Sequence, residues 1–230
     1  MQILLTNDDG IDAPGLAALE RAAKEFGTVT VAAPHREYSG CGHQVTNYAP
    51  VRVEQLANGR FKVFGTPADC ARIGITQLAP DTDIVLSGVN EGGNLGVDVL
   101  MSGTVAAARE AVWLGKRAIS FSQYVRRERS RDWGKTTEMV RRVISHLQAR
   151  RSIEKALWNV NFPDVDTAAE RLAITESHVE PQHLSVGFEE VEPQSFAFRS
   201  DYRNRPCEQG SDVDVCFGGA ISVSRVAANP

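Results

Sequence analysis

The chain has 230 residues, a length that suits one α/β domain with a small appendage or at most two small domains. Its hydrophobic fraction of 42% is ordinary for a globular domain, and its net charge of −4 argues against nucleic acid or an anionic membrane as the main partner. The first residues lack a basic segment followed by a long apolar one, and no apolar run approaches the roughly 20 residues of a membrane span. We therefore expect a cytoplasmic protein that binds neither nucleic acid nor membrane.

Strand-like and helix-like segments alternate through residues 1–160. The predicted strands cover 3–6, 28–33, 61–64, 84–86, 118–121 and 157–161, and the predicted helices cover 14–26, about 102–114 and 134–148, with a further helix starting at 66–69. This alternation predicts an α/β fold with a mostly parallel sheet covered on both faces. Because ligands of such sheets bind outside the carboxyl ends of the strands, the loops 7–15, 34–43 and 87–104 are expected at one functional edge.

The second part of the chain breaks this alternation. Residues 164–220 are rich in Glu, Arg, Ser and Pro and show little periodicity, so we interpret them as extended arms or hairpins, followed by a last strand over 220–226. The run 126–131 mixes arginines with Glu128, and its mixed charge favours a solvated loop over a substrate-binding patch.

The four cysteines are scattered and form no Cys-x-x-Cys pair. We expect reduced structural thiols at Cys41, Cys70, Cys207 and Cys216. The alternative, a disulfide or metal pair formed by Cys207 and Cys216, lacks neighbouring residues at ligand spacing.

Two adjacent carboxylates, Asp8 and Asp9, follow the first buried strand. Their charges would repel each other unless something compensates them, and a hard cation bound by oxygen atoms would do so directly. The alternative is structural, because the segment 7–10, Asn-Asp-Asp-Gly, also suits a tight turn. Their position at the carboxyl edge of the sheet favours the metal site.

Two further loops supply oxygen and amide groups at the same edge. Ser39 lies in the second loop, either as an oxygen ligand or as an ordinary turn serine. The stretch 87–96 contains four glycines, which allow close approach of a ligand to the backbone, together with Asn90 and Asn94. It matches neither the Walker loop nor the Gly-x-Gly-x-x-Gly pattern of dinucleotide-binding proteins, and plain turns are the alternative.

The predicted helix after the glycine-rich stretch opens with Ser102, Gly103 and Thr104. A helix start presents free amides and a positive dipole end, which suits phosphate, although Ser102 could equally serve as a simple cap. His35 and His43 flank Ser39, and we interpret them as ordinary surface histidines in preference to an acid or a base.

These motifs, in this order, resemble those of the SurE family of survival-protein 5′-nucleotidases. The resemblance covers roughly residues 1–122 and is carried by five stretches, at 3–15, from Ala33-Pro34 to Ser39-Gly40, at 65–70, from Ser87–Asn90 to Asn94–Gly96, and at 102–108.

The resemblance implies a Rossmann-like three-layer core over 1–163, with 164–230 as an extended arm region and last strand of the same domain. It implies one divalent ion per subunit, Mg²⁺ or Mn²⁺, with ligands at Asp8, Asp9, Ser39 and Asn90 and with Asp8 and Asp9 as the catalytic residues. The implied phosphate contacts are Asn94, Ser102, Gly103 and Thr104. The family also forms homodimers or homotetramers that exchange a hairpin and a C-terminal arm.

The reaction expected from this resemblance is metal-assisted hydrolysis of nucleoside 5′-monophosphates, with 3′-monophosphates and short polyphosphate as further family substrates. Asp8 would be a ligand only, or would also accept a proton from the attacking water. A non-catalytic nucleotide-binding module and a purely structural oligomer are the competing interpretations.

The departures from the family pattern lie mostly in the second half of the chain. Gly210-Ser211-Asp212 replaces Gly-Thr-Asp, 222–225 lacks the usual Pro-Leu, and 214–216 lacks the usual aromatic or His followed by Ala. His35 stands where Asp is common. These changes leave the expected metal ligands intact and bear on base preference and oligomer arrangement.

Overall fold

A computed structural model describes residues 1–57, 59–126, 130–149 and 156–228 of the chain. The strands are β1 Gln2–Thr6, β2 Thr28–Pro34, β3 Val53–Ala57, β4 Arg60–Val63, β5 Ile84–Glu91, β6 Arg117–Gln123, β7 Leu157–Phe162, β8 Ile174–Ser177, β9 Gly187–Glu192, β10 Ser195–Arg199 and β11 Ile221–Val226. The helices are α1 Pro14–Ala23, α2 Pro67–Ile73, α3 Asp98–Met101, α4 Gly103–Trp113, α5 Trp133–Ala149 and α6 Asp212–Phe217.

Nine strands form one sheet in the order β3-β4-β2-β1-β5-β6-β7-β11-β8, and β9 and β10 form a separate hairpin. The pairs β3–β4 and β7–β11 are antiparallel, whereas the pairings between β4 and β7 and the pairing of β11 with β8 are parallel. The prediction of an α/β fold with a mostly parallel sheet is confirmed.

Helices cover both faces of the sheet, and successive residues of its central strand β1 point to opposite faces. Ile3 and Leu5 of β1 pack with α1 and α5, while Leu4 packs on the other face with residues of α2 and α4. Because both faces are covered, residues 3–5 of β1 are all apolar, and pairing with β2 and β5 keeps the strand inside the sheet. The carboxyl ends of β1, β2 and β5 consequently meet at one edge.

Helix α2 begins where its sequence predicts. The Thr66 hydroxyl accepts a hydrogen bond from the Asp69 amide at 3.2 Å, and the Asp69 carboxylate accepts one from the Thr66 amide at 3.0 Å. This reciprocal capping box satisfies two amides that the first helical turn leaves without partners. A π-helical turn, Gly74–Leu78, continues the helix.

Several predicted boundaries are wrong. The first helix ends at Ala23 instead of residue 26, and the exposed edge strand β3 was not predicted. The strand predicted over 84–86 continues as β5 to Glu91, because β6 supplies backbone partners as far as Gln123. The helix predicted from Ser102 is preceded by the short α3, and Ser102 separates the two helices.

The second part of the chain contains the predicted hairpin and the predicted last strand. The hairpin is β9–β10, and the last strand is β11, which pairs with β7 inside the main sheet. The strand β8 and the helix α6 were not predicted, because their segments are short and lack periodicity. All four cysteines carry free thiols, and no helix in the described part of the chain is long and apolar enough to cross a membrane.

Candidate functional site

Hydrogen bonds donated by backbone amides connect the three loops at the carboxyl edge. The Tyr38 amide, in the loop after β2, donates to the Asp8 carbonyl at 2.8 Å. The Glu91 amide, at the end of β5, donates to Asp9 Oδ2 at 3.1 Å. The loop after β1 is thereby held between its two neighbours, as the sheet order predicts.

Asp8 lies at the bottom of this edge and is only 4% exposed. Burial raises the pKa of its carboxyl, and hydrogen bonds from the hydroxyl and the backbone of Thr104 oppose the rise. Burial, followed by the neighbouring charge of Asp8, raises the pKa of Asp9 to about 7. Two adjacent carboxyl groups with raised pKa values resist ionisation. A cation bound between them would stabilise both carboxylates, because a positive charge favours their ionised forms.

Ser39 and Asn90 complete a set of oxygen donors around these carboxylates. The Ser39 hydroxyl donates to Glu37 Oε1 at 2.6 Å, which leaves its oxygen lone pairs available. Asn90 directs Nδ2 to the Gly92 carbonyl at 2.8 Å, so its oxygen is the atom available to a ligand. Two carboxylates with neutral oxygens suit a hard divalent cation. Within the described ranges, no group of three or more His, Cys, Asp or Glu side chains forms a metal site.

A bulge at the end of β5 places Asn90 at the edge of the sheet. The register of β5 against β6 shifts between Ser87 and Asn90. Gly88 adopts a φ of +133°, and a Cβ atom there would lie 2.3 Å from the Phe121 carbonyl oxygen. The position therefore requires glycine, and the bulge re-aims the side chains that follow it.

A cavity of about 880 Å³ opens above this edge. Five of the predicted site residues line it, namely Asp8, Ser39, Asn90, Asn94 and Ser102. Asp9 instead lines an adjoining cavity of about 250 Å³, which shares Ser39 and Glu91 with the larger one. Three of the predicted metal ligands therefore line the larger cavity, and Ser39 lines both cavities.

The start of α4 lies directly behind Asp8. Ser102 caps the helix, since its hydroxyl accepts a hydrogen bond from the Val105 amide at 3.1 Å. A Cβ atom on Gly103 would come within 3.0 Å of the Asp8 side chain, so a larger residue would push on Asp8. The Thr104 hydroxyl is fully buried and donates to Asp8 Oδ1. Gly103 and Thr104 are thus packed against Asp8, while Ser102 faces the cavity.

Several cavity residues were not identified from sequence, among them Tyr124, Arg126, Tyr202 and Arg203. Tyr124 and Arg126 follow β6 at the same carboxyl edge, so the rule that identified the other loops could have indicated them. Tyr202 and Arg203 follow the hairpin and carried no sequence signal. The ring centroids of Tyr124 and Tyr202 lie 6.3 Å apart, which places two aromatic rings beside two arginines at the cavity wall.

The described ends of 126–131 are exposed, as the interpretation of this run as a solvated loop predicts. Arg126 lines the cavity, and Arg131 forms an ion pair with Glu91 at the end of β5. Residues 127–129 lie outside the described residues.

The interpretation of His35 and His43 as surface histidines holds only in part, because both are half-buried. His35 stacks on Phe64, with ring centroids 4.7 Å apart. The His43 side chain is 21% exposed, lies 2.7 Å from Glu110 Oε1 and stacks on Trp113 at 4.9 Å. Neither lines the larger cavity at the carboxyl edge.

Comparisons with known proteins agree with this arrangement. The model of the family described as "Survival protein SurE" matches residues 3–182. A Synechocystis sp. protein that is provisionally named a 5′-nucleotidase is 40% identical over 98% of this chain and 99% of its own length. The "5′-nucleotidase SurE" of Paramagnetospirillum magneticum is 39% identical over 97% of this chain and 88% of its own.

A solved structure shows the same fold. The crystal structure of the Sure protein from Aquifex aeolicus superposes with a TM-score of 0.85 at 30% identity, covering 100% of this chain and 94% of that one. The family match spans more than half of the chain, and the relatives align over nearly all of it. The chain belongs to the SurE family.

Proposed function

We propose that this protein is a divalent-metal-dependent 5′-nucleotidase, which removes phosphate from nucleoside 5′-monophosphates. The observation that carries the proposal is that Asp8, Ser39 and Asn90 line one cavity large enough for a nucleotide, while Asp9 lines a smaller cavity that shares Ser39. The names of the relatives from Paramagnetospirillum and other bacteria support the same reaction.

In this proposal the two carboxylates and the two neutral side chains hold one Mg²⁺ or Mn²⁺ ion. A bound divalent ion supplies charge stabilisation to the phosphoryl oxygens and lowers the pKa of a water molecule. Asp8 and Asp9 provide the anionic ligands, and Thr104 fixes the orientation of Asp8. Asn94 and Ser102, which line the same cavity, bind the phosphate, with Gly103 and Thr104 behind them.

The test is phosphate release from a panel of 5′- and 3′-nucleoside monophosphates and short polyphosphate, with Mg²⁺, with Mn²⁺ and with EDTA. We expect release from 5′-monophosphates that requires metal. We expect Asp8→Asn and Asp9→Asn each to lower kcat/KM by roughly 100-fold or more, because each removes an anionic metal ligand.

The matched control is Asp12→Asn, which changes an exposed carboxylate in the same loop. It should retain wild-type activity. Activity at the wild-type level in Asp8→Asn would overturn the assignment of the site. A folded wild-type protein that releases no phosphate, but binds nucleotides equally well in EDTA, would instead identify a non-catalytic nucleotide-binding module.

We further propose that the protein forms a homodimer or homotetramer through the hairpin β9–β10. Three phenylalanines on one face of the hairpin, Phe188, Phe196 and Phe198, are 64%, 62% and 52% exposed. Exposed aromatic patches of this kind mark protein–protein contact surfaces.

A further inference from the structure

Strand β7 carries two buried primary amides that the proposed reaction has not used. Asn159 and Asn161 are both 0% exposed. They are two residues apart in a strand, so their side chains lie on the same face of the sheet. Burial of an amide is unfavourable unless its hydrogen bonds are made, and both of these side chains bond the backbone of one distant residue, Asn94. The remaining oxygen, Asn159 Oδ1, accepts from the Ser120 hydroxyl at 2.9 Å.

Asn161 holds the backbone of Asn94 at two points. Its Oδ1 accepts a hydrogen bond from the Asn94 amide at 2.8 Å, and its Nδ2 donates to the Asn94 carbonyl at 3.0 Å. Asn159 Nδ2 donates to the same carbonyl at 2.8 Å, which uses both lone pairs of that oxygen. Asn94 lies beyond the end of β5, so side chains of β7 supply the partners that a neighbouring strand would otherwise provide.

The side chain of Asn94 is held as well. Its Nδ2 donates to the Ser122 hydroxyl of β6 at 2.8 Å. The second N–H of Nδ2 remains for another acceptor, and Asn94 lines the large cavity together with Asp8 and Ser102. The backbone and the carboxamide of Asn94 are therefore both oriented by the sheet before any ligand arrives.

We propose that Asn161, with Asn159 and Ser122, acts as a positioning residue that orients the Asn94 carboxamide for phosphate. A donor oriented in advance contributes more to binding and catalysis than one that must be ordered by the ligand. The proposal rests on the phosphate contact assigned to Asn94 in the proposed function. If these amides served stability alone, their loss would lower the melting temperature and leave phosphate affinity unchanged.

The first test compares Asn161→Leu with wild-type protein in three measurements: the inhibition constant of inorganic phosphate, the KM for a nucleoside 5′-monophosphate, and the melting temperature. We expect the inhibition constant and KM to rise about 10-fold, because Asn94 loses two of the three contacts that fix its backbone, and only the bond from Asn159 remains. The matched control is Ser224→Ala. Ser224 of β11 is equally buried and shares a hydrogen bond with the Ser177 hydroxyl at 2.8 Å, and its own hydroxyl bonds neither Asn94 nor the side chains that hold it. This control should lower the melting temperature without changing the inhibition constant.

A second variant keeps the test decisive if Asn161→Leu does not fold. Ser122→Ala removes only the hydroxyl that holds the Asn94 carboxamide and should also weaken phosphate inhibition. In an Asn94→Ala background, Ser122→Ala should add nothing, because its effect passes through Asn94. Additive effects, or an unchanged inhibition constant in folded Asn161→Leu, would overturn the proposal.

The same variants separate this proposal from the proposed function. One outcome is a wild-type protein that hydrolyses no nucleotide although inorganic phosphate still raises its melting temperature. If Asn161→Leu then weakens that rise, the positioning role stands and the hydrolase assignment fails.

Discussion

At the scale of single residues, the site is organised around the buried carboxylate of Asp8. Thr104 donates to one of its oxygens, and Gly103 leaves the space that the Asp8 side chain occupies. From the sequence, both residues are expected to contact phosphate because they open a helix. The structure indicates a second role for Thr104, which is to orient Asp8. A metal-binding side chain whose orientation is fixed by another residue binds its metal more tightly.

The substitution Thr104→Val tests this role. It keeps the shape of the side chain and removes the hydroxyl, so we expect the metal concentration for half-maximal activity to rise by about 10- to 100-fold. Titration of phosphate release with Mn²⁺ or Mg²⁺ measures it. Thr104→Ser keeps the hydroxyl and should resemble the wild type. An unchanged metal requirement, together with weaker phosphate inhibition, would assign Thr104 to the phosphate instead.

At the scale of secondary-structure elements, α4 is joined to its neighbours by the buried carboxylate of Glu110. Arg72 of α2 donates to Glu110 Oε2 at 2.8 Å, and His43 lies 2.7 Å from Oε1. Burial alone would raise the pKa of Glu110, but the hydrogen bonds from His43 and Arg72 outweigh it and lower the pKa below its ordinary 4.5. The ionised carboxylate therefore stabilises the packing of α4 against α2 and the loop after β2.

This arrangement predicts how stability depends on pH. A carboxyl whose pKa is lower in the folded state contributes stability above its unfolded pKa of 4.5, and that contribution disappears as the pH falls through the folded pKa. We expect Glu110→Gln to lower the free energy of unfolding at neutral pH by about 1–3 kcal/mol, each kcal/mol corresponding to roughly 2–4 °C in Tm. The difference from wild type should shrink below pH 4.5.

Thermal unfolding across the acidic and neutral range measures this difference. Glu138→Gln is a suitable control, because Glu138 forms a half-exposed ion pair with Arg141 on the surface of α5. A destabilisation by Glu110→Gln that is independent of pH would show that the shape of the side chain matters, and not its charge.

At the scale of the whole molecule, the C-terminal part completes the sheet and also carries the exposed hairpin. β11 lies between β7 and β8, so residues distant in sequence extend the sheet beyond the core predicted for 1–163. The buried carboxylate of Asp212 accepts hydrogen bonds from the amides of Gly96 and Glu180, each at 2.9 Å, and ties this part to the loop after β5. The hairpin, in contrast, presents aromatic residues to solvent.

The oligomer proposal predicts that Phe196→Ser weakens self-association. Phe196 is 62% exposed and does not line the large cavity, so its loss should remove apolar contact area without altering the site. Sedimentation velocity over a range of protein concentrations measures the effect. Glu189→Ser changes an exposed residue on the other face of the hairpin and should leave the association state unchanged. A wild-type sedimentation profile for Phe196→Ser would assign assembly to another surface.

Much of the fold followed from local patterns. The apolar run of β1, the helical spacing in α5 and the capping signal at Thr66 each depend on neighbours within a few residues, so the sequence contains them directly. The order of βα units then places the loops after β1, β2 and β5 at one edge. For this reason the convergence of Asp8, Ser39 and Asn90 could be predicted without coordinates.

Other features depend on contacts that no local pattern records. Tyr202 reaches the cavity only because the segment after the hairpin folds back over the sheet, where its hydroxyl bonds Asp98 at 2.7 Å. Asn161 faces Asn94 across 67 positions of sequence. From sequence alone, β7 is predicted only as a strand. Its asparagine side chains bond Asn94 because β6 and β5 lie beside β7 in the sheet. Residue types and local spacing therefore determined the fold class and indicated a metal at Asp8 and Asp9, and the family resemblance of the motifs implied Ser39 and Asn90 as further ligands. The wall of the cavity and the support beneath Asn94 were decided by long-range packing.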